Sequence, residues 1–406
     1  MKYLLPPAIL FILALAYGLG ISQYHPPILP DELVPQNAPG YYDYRGVTHS
    51  HTSLNKGTLS PEEVIEEAQV ARLDFLILTD LNYFLPYPIK PDYYQNLLVM
   101  VGKSYSYLDS HILHYSLEQL PQFNGLGEAQ VYFSDRLSKT PKEETDDFVV
   151  LAHPFKGGRN WSGPYPKSLQ GIETINLKSV WRIAWEKTKP SFFWSIFIYP
   201  FNSHLSLLRL FQHPKKEVEL WDELNRDRPT IGFVGNETTG PSIPLEKPRA
   251  RFPSYKTSFE IASNHVLLRS ELTGNVVNDR KKVLSALRKG QFYMCLDYLE
   301  NPKGFVTYIE SGDRQIQMGS QVSLARDMRL VVKLPHEPTV PFEVMVIKDG
   351  RSIHRSNKKI TSLPLTESGV YRIIVRVIPT LPLPDGKKWI PWIYTNPFFI
   401  QSPPVG

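Results

Sequence analysis

Two histidines separated by one residue are the clearest candidates for a functional site in this sequence. His49 and His51 come at the end of YRGVTH, a short apolar segment that we predict to be a strand. Side chains at positions i and i+2 of an extended segment point to the same side, so both imidazoles can reach one metal ion. Imidazole suits Zn, Mn and Fe in proteins. The pair therefore indicates a divalent-metal site.

Further candidate ligands lie where other predicted strands end. Asp80 closes LILTD, His153 closes VVLAH, and Glu237 follows a third strand in GNE. Functional groups of β/α barrels cluster at the carboxyl ends of the strands. We therefore predict that His49, His51 and His153 converge in space.

The elements that must position these residues alternate along the chain. Ser60, Pro61 and Glu63 form the capping signature of a helix start, and the segment 279–289 predicts a helix that ends at Gly290. Between and around the helical stretches, apolar runs predict strands at 75–79, 97–101, 148–152, 172–177, 230–234 and 266–268. Repeated strand and helix units predict an α/β fold, with a mainly parallel sheet or a (β/α) barrel.

The pattern changes near residue 301. Short alternating strands separated by Gly, Pro and Asp follow, without helices, and they predict a small all-β sandwich of the immunoglobulin-like kind. We place the barrel at 43–300 and the sandwich at 301–406.

The amino terminus carries a targeting signal. Lys2 precedes an uncharged, mostly apolar run to Ile21, which predicts a signal peptide or an N-terminal membrane anchor over residues 1–24. A proline-rich linker follows at 25–42. We expect an exported protein, periplasmic or extracellular, or one held at the membrane. The apolar segment 192–199 predicts a buried helix or lid in preference to a membrane-contacting patch.

Composition excludes several classes of protein. The net charge of +5 is mild and its basic residues are scattered among acids, so no broad nucleic-acid surface is expected. A single cysteine, Cys295, excludes an intramolecular disulfide and a zinc site built on cysteines. The 36 prolines favour turns and extended connections over a helical bundle.

Several stretches together resemble a known family. They are GVTHSHTSLNKGTLSPEEVIEEAQVARLDFLILTD, VVLAHPF, GIETINLKS, PTIGFVGNETTG and KVLSALRKGQFYMCL. This combination is similar to the PHP (polymerase and histidinol phosphatase) superfamily, and more narrowly to its carbaryl-hydrolase-like CehA/McbA group. The resemblance implies a distorted (β/α) barrel with metal at the strand ends. It also implies hydrolysis of phosphoesters, or of other esters, by metal-activated water.

The resemblance also implies roles for individual residues. His49 and His51 fall on the family's His-x-His, His153 on its Ala-His-Pro histidine, and His111 matches a Gly-His position in part. Asp80 falls on the Asp of Thr-Asp-His, and Glu237 takes the place of the Asp in the final Asp-x-His.

Four positions depart from the family pattern and predict a reduced metal site. They are Leu81 and Thr239 in place of histidines, and Lys56 and Ser104 in place of acids. A pair of metal ions needs bridging carboxylates, so we expect one ion at most, or none. Asp80 would then be a second-shell partner or a general base.

Three cations are candidates for binding a phosphate. Lys56 and Lys103 could hold it without a metal, and Arg159 could clamp it in either case. Two functions remain open. The first is an exported PHP-type phosphoesterase for small nucleotide, oligonucleotide or sugar-phosphate substrates. The second is an inactive PHP-fold protein that binds a ligand or partner at the cell envelope.

Overall fold

The structure is a computed structural model that describes residues 5–30, 33–116, 120–139, 147–156, 159–240 and 253–403. In these ranges it contains the helices α1 Leu5–Ile21, α2 Pro61–Val70, α3 Leu126–Ser138, α4 Leu177–Lys187, α5 Lys189–Ile198, α6 Ser203–Leu208, α7 Lys215–Asp227, α8 Tyr255–Ile261 and α9 Val276–Lys289.

Two helix ends follow directly from the local sequence. At the start of α2, the Ser60 hydroxyl accepts from the Glu63 amide and the Glu63 carboxylate accepts from the Ser60 amide. This is the predicted capping box, and it is confirmed. At the end of α9, Gly290 adopts the left-handed backbone (φ 71°) that terminates helices and that favours glycine.

The first part of the chain contributes thirteen strands to the described structure. They are β1 Tyr42–Ser50, β2 Phe75–Leu78, β3 Asp92–Tyr94, β4 Leu97–Val101, β5 Lys103–Tyr107, β6 Ser110–Tyr115, β7 Phe148–Ala152, β8 Phe155–Lys156, β9 Arg159–Asn160, β10 Gly171–Asn176, β11 Ile231–Gly235, β12 Ser263–Leu268 and β13 Phe292–Cys295. All seven strands predicted for this part are present, with β4 and β7 at the predicted bounds.

The described residues after 301 form strands without helices, as expected. They are β14 Val306–Ser311, β15 Arg314–Gln317, β16 Gln321–Ser323, β17 Arg329–Lys333, β18 Phe342–Lys348, β19 Arg351–Ser356, β20 Ile360–Pro364, β21 Gly369–Val377, β22 Ile390–Thr395 and β23 Phe398–Gln401.

Two sheets hold the first part of the fold. In the larger, β13, β12, β1, β2 and β4 are consecutive neighbours, and β1 runs parallel to β2 and β2 to β4. The second sheet has the order β11-β10-β7-β6-β5, with β7, β10 and β11 parallel to one another. Strands β2, β7, β10 and β11 are buried along their whole length, which is typical of a sheet covered on both faces.

The structure does not show the predicted distorted (β/α) barrel, because no sheet closes on itself among the described residues. Strand pairing between the two sheets is limited to isolated bridges, from Ser50 to Thr238 and from Leu81 to Ser104. In addition, β5, β6 and β7 are antiparallel neighbours, which breaks the repeat of parallel strands that a barrel requires. The fold is a mixed α/β structure, and its first part is built on two large open sheets and the small β8–β9 pair.

The larger sheet continues past residue 301. Strand β13 pairs with β22, and β21, β23, β18, β19 and β16 extend the same sheet, while β15, β14, β17 and β20 form a separate one. Two ion pairs also join the halves: Arg209 binds Asp385 and Arg372 binds Asp222.

The amino-terminal segment packs on the rest of the protein from the end of α1 onward. Ile21, Ile28 and Leu29 are buried, and Asn202 donates to the carbonyls of Ile21 and Tyr24. No helix among the described residues has both the length and the apolar character needed to cross a bilayer.

Candidate metal centre

Four histidines and two glutamates meet where the two sheets adjoin. His49 lies in β1 with His51 just after it, His111 lies in β6, and His153 follows β7. Glu173 lies in β10 and Glu237 follows β11. Because β7, β10 and β11 are parallel, their carboxyl ends share one edge, and the Ser50–Thr238 bridge brings the end of β1 beside it. All six side chains are buried.

The first pair of imidazoles faces nitrogen to nitrogen. His49 Nε2 lies 3.2 Å from His51 Nε2. The other ring nitrogen of His49, Nδ1, lies 2.6 Å from Glu173 Oε1. An ionised Glu173 accepts a hydrogen bond from His49 Nδ1–H, and in this tautomer His49 Nε2 carries a lone pair on the side of His51.

The second pair of imidazoles has the same spacing. His153 Nε2 lies 3.1 Å from His111 Nδ1 and 4.0 Å from Glu237 Oε1. The backbone N–H of His153 donates to Glu173 Oε2 at 2.8 Å. Glu173 therefore positions one histidine of each pair, His49 through its ring and His153 through its main chain.

His153, after β7, and Glu237, after β11, have unusual backbone conformations. His153 has φ 32° and Glu237 has φ 44°, values in the left-handed region that non-glycine residues rarely adopt. Such conformations persist where the surrounding structure holds them, and they cluster at functional sites. Here they turn the two side chains towards each other across the strand ends.

Protonation in the cluster favours metal ligation. Burial, and then the neighbouring His49 ring, hold the pKa of His51 well below its usual range, so His51 is neutral. Burial alone would raise the pKa of Glu173, but the rings of His49 and His153 lower it overall. The cluster thus offers a neutral His51 imidazole and an ionised Glu173 carboxylate.

The spacing of the nitrogens fits a shared cation. Two nitrogens bound to one ion at about 2.0–2.1 Å lie about 3.1–3.4 Å apart at near-tetrahedral angles. Both imidazole pairs match that separation. Moreover, the buried Nδ1 of His51 has no hydrogen-bond partner among the described atoms, so the contact with His49 is the one hydrogen bond that this ring makes there. The residues fit a divalent ion bound at either pair.

The two pairs remain separate. The rings of His49 and His153 have centroids 6.4 Å apart. Among the described residues, three potential ligand atoms lie within 4.8 Å of one another only at His265, Cys295 and Asp297, a different place in the fold.

The surroundings of His265 favour a protonated imidazole over a bound metal ion. His265 Nδ1 lies 2.8 Å from Asp43 and its Nε2 lies 2.7 Å from Asp297, so carboxylates occupy both ring nitrogens. Burial alone lowers the pKa of His265, but these two carboxylates raise it to about 9. Burial also raises the pKa of the Cys295 thiol well above its usual range, which disfavours the thiolate that a metal needs.

Asp80 is used to hold a loop. Its carboxylate accepts from the Thr52 amide at 2.6 Å, the Thr52 hydroxyl at 2.8 Å and the Tyr87 hydroxyl at 2.6 Å. Burial raises the pKa of Asp80, and these donors partly offset the shift. Asp80 therefore fixes the residue next to His51, an indirect role in the site.

The structure describes two of the predicted phosphate-binding cations, and they differ in their position relative to the histidines. Lys103 pairs with His114 across β5 and β6, and His114 packs on Phe133 of α3, so Lys103 lies on the sheet face opposite His111. Lys56 is exposed in the loop after β1, close enough to lower the pKa of His51 further. Arg159 begins β9, and its side chain lies outside the described part.

Three residues of the site were not predicted from the sequence. Glu173 is a lone acid in an apolar strand, and that isolation was the available signal. Asn176 caps α4 and donates to Glu173 at 3.0 Å and Glu237 at 3.3 Å. Lys178 Nζ lies 3.6 Å from Glu237 Oε1. Asn176 and Lys178 follow β10 directly, within the quoted GIETINLKS.

An apolar cavity of about 40 Å³ adjoins the centre on the side of Glu237. Its walls include Lys178, Val180, Leu207, Phe211, Ile261 and Leu296. The cavity can accept an apolar group attached to a molecule bound at the histidines.

Comparison with known proteins adds two distant likenesses. No protein-family model matches the chain, and no curated protein matches it. A two-domain protein from Bacteroides vulgatus containing a predicted PHP-like metal-dependent phosphoesterase is 12% identical with a TM-score of 0.36, over 91% of this chain and 98% of its own. A protein from Bifidobacterium adolescentis, described as a metal-dependent phosphoesterase, is 12% identical with a TM-score of 0.26, over 51% of this chain and 92% of its own. At these TM-scores, neither structure assigns an activity to this chain.

Proposed function

We propose that this protein is a PHP-type metal-dependent hydrolase that acts on phosphoesters. The observation that carries the proposal is the buried cluster of four imidazoles, whose facing nitrogens are 3.1 and 3.2 Å apart beside Glu173 and Glu237. The family resemblance of the surrounding stretches supports the same chemistry.

The chain's residues have distinct roles in this proposal. His49 and His51 hold one divalent ion, Zn, Mn or Fe, and His111, His153 and Glu237 flank it. A bound ion supplies Lewis acidity and lowers the pKa of water to about 7. Glu173 fixes the tautomer of His49, and Asn176 orients Glu173 and Glu237.

The proposed substrate is a small phosphoester. Lys178 is half-exposed beside Glu237 and provides a positive charge for a phosphate. The apolar cavity beside Glu237 can receive a small apolar part of the substrate. We further propose export, because Lys2 and the apolar run to Ile21 resemble a targeting signal.

Metal analysis of the purified full chain tests the proposal. We expect about one divalent ion per chain and hydrolysis of an aryl phosphate. Both should be lost in the double variant His49→Ala, His51→Ala. The matched control is His336→Ala with His354→Ala, two histidines of the β-rich part far along the chain, which should retain both properties.

The opposite result identifies the alternative function. Metal content near zero in the wild-type chain, after growth with Zn, Mn and Fe, would contradict the hydrolase. It would leave an inactive protein of this fold that binds a ligand or partner.

A further inference from the structure

The amino-terminal helix exposes apolar side chains on all sides. Ile9, Leu10, Phe11, Ile12 and Leu13 are consecutive, and each exposes at least half of its surface. Successive helical residues are about 100° apart, so these five surround the helix axis. A helix with apolar side chains on every face is typically buried, either in the core of a large protein or in a membrane. Among the α1 side chains that the structure describes, Tyr17 and Ile21 in its last turns pack on the core of the protein.

A second apolar surface lies at the base of this helix. Helix α5 carries Phe193, more than half exposed, and Ile196, while α4 carries Trp185, nearly half exposed. The rings of Trp185 and Phe193 are in contact, with centroids 5.9 Å apart. We call the exposed surface of Trp185, Phe193 and Ile196 the aromatic platform.

The helix and the platform are joined rigidly. Tyr17 of α1 contacts Trp194 of α5 with ring centroids 5.4 Å apart. Gly18 approaches Phe201 so closely that a Cβ would lie 2.6 Å from its ring. With the Asn202 hydrogen bond to Ile21, these contacts fix α1 beside α5, although the two are far apart in sequence.

Composition favours lipid over protein as the occupant. Between Leu5 and Ile21 there is no charged residue, and Lys189 is the only charge in α5. Its ammonium lies 5.5 Å from the Trp185 ring centroid, at the edge of the platform. Aromatic rings bordered by lysine are typical of segments at a membrane–water interface. A protein partner would cover one side of α1, whereas lipid covers every side.

We propose that this protein docks on a phospholipid bilayer, with α1 inserted and the aromatic platform lying in the interface. The platform then holds the body against the membrane, so that α1 is more than a loose tether. The proposal stands on these two surfaces and is independent of the hydrolase chemistry.

Vesicle flotation of the full chain tests the platform. The assay uses phosphatidylcholine vesicles with and without phosphatidylglycerol. Because α1 alone could retain the protein, binding is compared in a background that weakens it, Leu10→Asp with Leu13→Asp. In this background, adding Phe193→Asp and Ile196→Asp should reduce partitioning by about tenfold or more, since two apolar side chains lose their burial.

The matched control adds Val131→Asp and Val277→Asp, which are exposed valines on α3 and α9. It should leave partitioning unchanged in the same background. Circular dichroism and melting temperatures check that every variant folds. Equal partitioning of the platform and control variants would overturn the proposal, and so would a wild-type chain that does not float. A platform variant that changes the mass in light scattering but not the partitioning would assign the surface to a second copy of the chain and would also overturn it.

Discussion

At the scale of single residues, a buried carboxylate decides what each histidine can do. Glu173 leaves a lone pair on His49 Nε2, whereas Asp43 and Asp297 hold both nitrogens of His265 as donors. The first arrangement prepares an imidazole for a cation, and the second stabilises an imidazolium. The same side chain thus serves as a candidate ligand in one place and as a buried charge in another.

We predict that stability falls at alkaline pH because of His265. Its pKa is raised to about 9 in the folded protein, so its contribution is complete below the unfolded value of about 6.5 and is lost as the pH rises through about 9. The change should be roughly 3 kcal/mol. Urea unfolding across this pH range measures the change.

The ring itself provides the check on that prediction. In NMR titrations of the wild-type chain, the His265 signal should shift near pH 9. A signal that titrates near pH 6.5, together with a flat stability profile, would contradict it. The variant His354→Gln, far from both carboxylates, should keep the wild-type profile.

The site residues differed in how visible they were in the sequence. His49, His51 and His153 stand out through their spacing and their position at strand ends. Glu173 has no such spacing, and only its burial beside His49 shows its role. Asp80 looked like a base, but its three hydrogen bonds to Thr52 and Tyr87 depend on loop packing that no motif encodes.

At the scale of elements, the close approach of β11 to β10 shapes the centre. Gly235 ends β11, and a Cβ there would lie 1.9 Å from Glu173 Oε1. Glu173 cannot simply move away, because His49, the His153 amide and Asn176 all bind its carboxylate. A glycine is therefore required for the carboxylate to occupy its position between the strands.

We predict that Gly235→Ala displaces Glu173 and disturbs both imidazole pairs. Metal affinity should fall by about 10–100-fold, the usual effect of losing such a supporting group. The free energy of unfolding, measured by urea in EDTA, should fall by about 1–3 kcal/mol because of overpacking.

The control for this change is Gly127→Ala in α3, where no atom lies within 4 Å of the added Cβ. It should preserve metal affinity and leave stability unchanged or slightly higher. If the Gly235→Ala variant is as stable as the wild type in EDTA, the prediction is contradicted, because Glu173 then moves without a loss of folding free energy.

Local patterns predicted elements well and their assembly poorly. Strands such as β4 and β7 are short apolar runs, and α2 has a complete capping box, so each follows from neighbouring residues. Strand β5 (KSYSY) was not predicted, because it alternates polar and aromatic residues and is not an apolar run. Barrel closure failed as a prediction because it depends on pairing between distant strands, where β5–β6–β7 chose antiparallel order.

The burial of the segment 192–199 was predicted in part. The segment is helical to Ile198, and Ser195 and Ile198 are buried, but Phe193 is largely exposed. An apolar run indicates that its side chains are covered, but it does not identify the protein or lipid that covers them.

At the scale of the whole molecule, the two halves share structure across residue 301. Strand β13 pairs with β22, and Arg209 of α6's end reaches Asp385 at 2.6 and 3.1 Å. Arg209 is buried and also donates to Ser191 and Ser195. The sequence predicts that helices are replaced by short strands near residue 301. It does not predict that strands on both sides of this point pair in one sheet, because that pairing depends on residues far apart in the chain.

We predict that Arg209→Met destabilises both halves together. Removing one partner of a buried ion pair costs about 3–5 kcal/mol, because Asp385 is left unpaired. Near-UV circular dichroism and tryptophan fluorescence should report one coincident urea transition, shifted to lower concentration.

A surface ion pair provides the control. Arg182→Met breaks the exposed pair with Glu186 and should change stability by less than about 1 kcal/mol. Two separated transitions in the wild-type chain would contradict the coupling and would show that the halves unfold independently.

Helix α4 has a consequence for where substrate comes from. Its first turn adjoins Glu237 through Lys178, and its last turn carries Trp185 of the aromatic platform. Eleven residues rise by about 16 Å, so α4 alone connects the surroundings of Glu237 with the platform. If the protein hydrolyses phosphoesters and docks on a bilayer, as we propose, its metal centre faces the layer of solution next to the membrane. The supply of substrate would then depend on how many substrate molecules occupy each unit of membrane area more than on their bulk concentration.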